Sequence, residues 1–120
     1  MKPIVKTIAA LDDDADGISV SQTPAAGGVQ DLTITGALAT GGVATMAAAQ
    51  IITATWAGAD GARTLTVTYK DADGIETTGT IGGASSTTSQ STFYAKSVSN
   101  ISIDANSAGA LTVGVLDANG

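Results

Sequence analysis

Apolar and hydroxyl-bearing residues alternate along most of this chain. Leu32-Thr33-Ile34-Thr35 and Thr64-Leu65-Thr66-Val67-Thr68-Tyr69 carry the pattern most cleanly. Ile18-Ser19-Val20-Ser21, Ile101-Ser102-Ile103-Asp104 and Leu111-Thr112-Val113 repeat it. A period of two sends the apolar side chains to one face of a strand and the hydroxyls to the other. One dry face and one wet face is the signature of an antiparallel sheet. The pattern predicts strands over 18–22, 31–38, 51–57, 64–70, 75–81, 93–97, 100–104 and 110–116.

The breaks between these runs carry turn chemistry. Pro24 with Gly27-Gly28 closes the first strand, and Gly41-Gly42 closes the second. Gly58-Ala59-Asp60-Gly61 and Asp71-Ala72-Asp73-Gly74 stand between alternating runs, where Asp-Gly is a strong hairpin signal. Residues 82–90 are polar throughout and read as a loop, and 105–109 form another. Segment 43–50, with Met46-Ala47-Ala48-Ala49, is the one stretch with helical composition. It spans about two turns and lacks a cap, so a strand or a single loose turn fits as well.

About eight short strands, spaced about ten residues apart, indicate an all-β domain: a single antiparallel β-sandwich, Ig-like or jelly-roll-like, with a small barrel as the variant. The sandwich occupies residues 17–120 and follows an extended N-terminal arm, residues 1–16, in which a short apolar run ends in aspartates. The hydrophobic content of 43% suits one core, yet Trp56, Tyr69, Phe93 and Tyr94 are the only aromatic residues. The core must therefore be aliphatic and thin, which favours assembly into something larger.

Charge and composition then remove whole classes of function. A net charge of −6 and a pI near 4.1 oppose nucleic-acid binding, which needs a basic face. The cations Lys2, Lys6, Arg63, Lys70 and Lys96 are scattered along the chain. The chain has no cysteine and no histidine, so disulfides, thiolate metal sites and a histidine-based serine nucleophile are out. The opening residues do not read as a secretory signal, and no stretch approaches the roughly 20 apolar residues of a membrane helix. These features predict synthesis in the cytoplasm, without membrane partners. Glu76 falls on the threonine-bearing side of its strand and most aspartates fall in turns, so no carboxylate pair is placed for acid–base chemistry. The chain does not read as an enzyme.

Two motifs bear on metals, of which Asp71-Ala72-Asp73-Gly74-Ile75 echoes Asp14 to Ile18 but reads first as a hairpin loop. Asp12-Asp13-Asp14-Ala15-Asp16-Gly17 matches the opening of a calcium loop, with Asp12, Asp14 and Asp16 as the candidate ligands. The twelfth loop position is Thr23, so the bidentate glutamate is missing and a solvated turn explains the same residues. No other cofactor is indicated. The Thr-x-Thr ladders at Thr33/Thr35, Thr53/Thr55 and Thr64/Thr66/Thr68 read as the wet faces of strands, and Trp56 as a core anchor beside Ile52 and Ala54.

Taken in order, Gly17-Ile-Ser-Val-Ser-Gln-Thr-Pro-Ala-Ala-Gly-Gly28, Leu32-Thr-Ile-Thr-Gly-Ala-Leu38 and Gly41-Gly-Val-Ala44 resemble the small β-rich virion proteins of tailed bacteriophages. Arg63-Thr-Leu-Thr-Val-Thr-Tyr69, Asp71-Ala-Asp-Gly-Ile-Glu76, Val98-Ser-Asn-Ile-Ser-Ile103 and Ala108-Gly-Ala-Leu-Thr-Val113 continue the resemblance over nearly the whole chain. The resemblance implies a capsid decoration (cement) protein on the outside of the virion, made in the bacterial cytoplasm. Its implied partner is the major capsid protein, and its implied state is a homo-oligomer, with a trimer favoured. The alternative within the same resemblance is a tail, head-fibre or receptor-binding module. The expected contact is the arm, through Lys2, Pro3, Ile4, Val5, Lys6 and Ile8, pairing its main chain with an open strand edge of the capsid.

Overall fold

In the computed structural model the described residues are 14–116, with side chains described from Asp16 onward. Among them there is no helix. The strands are β1 (Asp14–Gln22), β2 (Gln30–Asp31), β3 (Ala39–Thr40), β4 (Val43–Trp56), β5 (Thr64–Lys70), β6 (Glu76–Gly82), β7 (Thr88–Ile103) and β8 (Leu111–Val115). They form one antiparallel eight-stranded sheet in the order β1-β8-β4-β7-β5-β6, with β2 attached to β7 and β3 to β4.

Two long strands organise the sheet. β4 has 14 residues and β7 has 16. The first half of β7 pairs with β4, from Thr88 opposite Thr55 to Ala95 opposite Gln50. Its second half pairs with β5, from Ser97 opposite Lys70 to Ile103 opposite Leu65. Ser97 and Val98 pair on both sides at once, with Thr45 and Ala44 of β4 and with Lys70 and Tyr69 of β5. Ahead of this junction Phe93 of β7 stacks on Tyr69 of β5 and lies against Gly79 of β6.

The alternating pattern fills one core. Ile18, Ile52, Trp56, Leu65, Val67, Ile101 and Val113 are fully or almost fully buried, and all belong to one cluster. Ile52, Ala54 and Trp56 share the buried side of β4, as their spacing requires. Trp56 is the largest buried side chain, and its indole N–H donates to Ser89 Oγ at 3.0 Å. That bond satisfies the one polar atom that burying a tryptophan would otherwise strand.

Some boundaries differ from those the pattern predicts, because of the segments that lie alongside. Segment 43–50 is strand throughout, its two ends held by pairing of Val43–Thr45 with β3 and β7 and of Gln50 with β7. A stretch too short to nucleate a helix follows its neighbours. The register slips between Thr45 and Gln50, so the small alanines lie where β4 bulges opposite Lys96. The expected strands at 93–97 and 100–104 are a single strand, because Ser97 and Val98 pair with both β4 and β5 and Asn100 pairs with β5. The expected loop 82–90 shrinks to 83–87, likewise through pairing of its ends.

Of 31–38 only Asp31 joins the ladder, together with Gln30, on β7. Leu32 and Ile34 still point inward while Thr33 and Thr35 are exposed, but the segment leans on β1 through irregular bonds. Gly36 N–H donates to Ile18 O at 2.9 Å and Leu38 N–H to Gly17 O at 2.8 Å. Gln22 bridges the gap between them, accepting from Thr33 N–H at 3.0 Å and donating to Thr33 O at 3.0 Å. Strand β1 begins at Asp14, inside the stretch 1–16 expected as an arm, and pairs there with Val115 of β8.

Candidate functional site

The residues expected to touch a partner, Lys2, Pro3, Ile4, Val5, Lys6 and Ile8, lie outside the described residues, as does Asp12. Asp14 and Asp16 lie in β1, and Asp16 is exposed. Among the described residues no three acidic, histidine or cysteine side chains gather as a metal site. No helix of the described residues is long and apolar enough to cross a membrane.

The buried polar groups are occupied in holding the fold. Asp60 is 2% exposed, and its carboxylate accepts from Ala108 N–H at 2.7 Å and Gly109 N–H at 3.4 Å. Its own backbone accepts from Arg63 N–H and donates to Gly58 O and Ala84 O. One aspartate thereby joins three loops at one end of the molecule. Ser91 sits in the irregularity where β7 slips against β4: its Oγ accepts from Ile52 N–H at 3.0 Å and donates to Phe93 O at 2.7 Å. A hydroxyl thus supplies the acceptor that the bulged backbone no longer offers. Gln50 donates to Leu116 O at 2.9 Å. Among the described residues every buried side-chain N or O has a partner. Thr53, expected on a wet face, is buried between Gln90 of β7 and Gly114 of β8.

What the described surface presents is the β5–β6 hairpin. The turn 71–75 is built from the Asp-Gly signal: Gly74, at φ 80°, donates to Asp71 O, and Asp71 Oδ1 accepts from Asp73 N–H and Ile75 N–H. From there β5 and β6 pair in unbroken register, Lys70 opposite Glu76 through Thr64 opposite Gly82. On the outer face Thr78, Thr68 and Asn100 form one row across three strands, and Thr80, Thr66 and Ser102 form the next. On the inner face the Tyr69 and Phe93 rings stack at 4.2 Å, nearly parallel. Phe93 fills the place a side chain at residue 79 would occupy: an added Cβ would stand 2.5 Å from its ring. A larger residue there would have to displace the ring.

The hairpin's free side is β6. Bonded and non-bonded residue pairs alternate along an antiparallel ladder. The Asp71–Ile75 and Arg63–Gly83 bonds at its two ends set the phase, so Thr77, Gly79 and Ile81 bond inward to β5. Glu76, Thr78, Thr80 and Gly82 turn their N–H and C=O groups outward, and none of these has a backbone partner among the described residues. The opposite end of the sheet is different: β1 is covered by the 36–38 segment bonded to Gly17 and Ile18.

Sequence reasoning missed Asp60, Ser91 and the β6 edge. Asp60-Gly61 signals a turn and says nothing about burial, and Ser91 is one serine among many. The edge did leave a trace, since Glu76-Thr-Thr-Gly-Thr-Ile-Gly82 has no lysine or proline to guard it. Comparison with protein-family models, with curated proteins and with solved structures finds no match to this chain.

Proposed function

We propose that this chain is a structural protein of a tailed-phage virion, one that decorates and stabilises the capsid by binding the outer surface of the major capsid protein shell. The resemblance in sequence supports that reading, and so does one observation on the fold. The buried polar side chains of the described domain serve the fold, and what it offers outward is hydroxyl-bearing strand surface and an open edge. Such a surface suits repeated modest contacts and does no chemistry on a substrate. A capsid filled with DNA is under outward load, and a subunit bridging neighbouring shell proteins adds interfaces that must break before the shell opens. Symmetry multiplies each one. In this reading the sheet closes as a sandwich of Ig-like or jelly-roll-like type, the domain assembles as a homo-oligomer, a trimer by the resemblance, and residues 1–16 carry the main-chain contact to the capsid.

The test is binding to purified expanded capsids, read by co-sedimentation and by quantitative mass spectrometry of virions. One copy per capsid subunit, or a simple fraction of that, is the expected ratio. Deletion of residues 2–11 is expected to abolish binding while the domain stays folded. Binding that survives the deletion would remove the arm from the mechanism. A handful of copies per virion would place the chain in a tail or fibre instead.

A further inference from the structure

We infer that the β6 edge is a self-association surface, on which a second copy of this chain pairs its own β6 in antiparallel fashion about a two-fold axis at Gly79. The inference stands on the described domain and does not depend on the capsid reading.

The edge is open and unguarded. Proteins ordinarily protect a free edge with lysine, proline, a bulge or a covering segment. β6 has no lysine or proline, pairs with β5 without a register shift, and is covered by nothing among the described residues. The same fold spends a dedicated segment and the Gln22 side chain on covering β1.

The row of outward groups is self-complementary. In an antiparallel pair, directly opposed residues with outward-facing groups exchange both hydrogen bonds. The register that engages Glu76, Thr78, Thr80 and Gly82 of both copies sets Thr78 against Thr80 and Glu76 against Gly82 of the second copy, which centres it on Gly79. Opposed threonines are favourable cross-strand partners. The glutamates fall at opposite ends of the joined strands, roughly 20 Å apart at the rise of an extended strand, well beyond the screening length of physiological salt. Glu76 meets a glycine whose missing side chain leaves open space, so nothing collides with it. The register also puts Ile75, 61% exposed at the hairpin tip, across from Gly83 of the second copy. Gly79 itself brings no side chain to the axis; on the inner face the Phe93 ring of each copy lies over it.

One variant and one covalent probe, a pair of cysteine variants, test this. Thr80→Pro removes an outward N–H and leaves the inward ladder to β5 intact, as proline is tolerated on edge strands. The wild-type chain is expected to show a concentration-dependent mass by analytical ultracentrifugation. Thr80→Pro, with an unchanged far-ultraviolet spectrum, is expected to weaken that association by at least about tenfold. Since the chain has no cysteine, Thr78→Cys and Thr80→Cys report the register directly. Mixed together and oxidised, they are expected to form covalent pairs faster than either does alone, because opposed residues lie within disulfide reach. This readout is the same whether or not a trimer forms elsewhere. Equal association of wild type and Thr80→Pro, or cross-linking of the mixture no faster than of the single variants, overturns the inference.

Discussion

Replacing Gly79 by alanine tests how the β5–β6 hairpin is held to the rest of the sheet. Alanine in place of glycine inside a strand should by itself be favourable by about 0.5–1 kcal/mol, since the unfolded chain loses freedom. Here the new Cβ would stand 2.5 Å from Phe93 Cε2 and 2.7 Å from Cδ2, so the ring must move. Phe93 is half-buried and can swing outward, but it then leaves the Tyr69 ring on which it is stacked at 4.2 Å. Losing that stack costs about 0.5–1.5 kcal/mol beyond the area re-exposed. Crowding inserted into packed structure costs about 1–3 kcal/mol. The net expectation for Gly79→Ala is a loss of about 1–3 kcal/mol. In a Phe93→Ala background the obstruction is gone, and the same substitution should become neutral or stabilising by up to about 0.5 kcal/mol. Trp56 is the only tryptophan and is buried, so urea unfolding followed by its fluorescence gives all four corners of the cycle. A Gly79→Ala cost that is the same with and without Phe93 would refute the argument, because the penalty would then come from the strand backbone and not from the ring.

Other substitutions probe the remaining ties. Asp60→Ala strands the Ala108 and Gly109 N–H groups beneath a loop and should cost about 2–4 kcal/mol, whereas Asp60→Asn keeps an acceptor and should cost about half of that or less; equal costs in urea would show that the carboxylate's hydrogen bonds are not what matters. Gly36→Ala would put a Cβ 2.3 Å from the Gly17 carbonyl oxygen, a backbone collision that no rotamer relieves, so we expect more than about 2 kcal/mol of destabilisation and early hydrogen exchange at Ile18-facing amides of 32–38. Retained protection there would mean the segment covers β1 by other contacts.

Much of this protein is legible in one dimension. Burial of Leu32, Ile34, Leu65, Val67, Ile101, Ile103, Leu111 and Val113 follows from alternation alone, because a strand has only two faces and only one can be dry. The turn at 71–75 follows from its Asp-Gly pair, because the backbone there needs a positive φ that glycine supplies. Composition likewise determines that the core is aliphatic around a single tryptophan. Pairing is another matter. That β7 runs unbroken through Ser97-Val98-Ser99-Asn100 depends on β4 and β5 lying on its two sides, a long-range condition that no local signal carries. Strand 43–56 is continuous for the same reason, although its alanines favour a helix when read alone. Asp60 is buried because three loops converge on it, and Gly79 is bare because Phe93, distant in sequence, folds over it. The edge at β6 is likewise a property of the assembled sheet: every strand has the groups to pair, and only the tertiary arrangement decides which row of them is left without a neighbour.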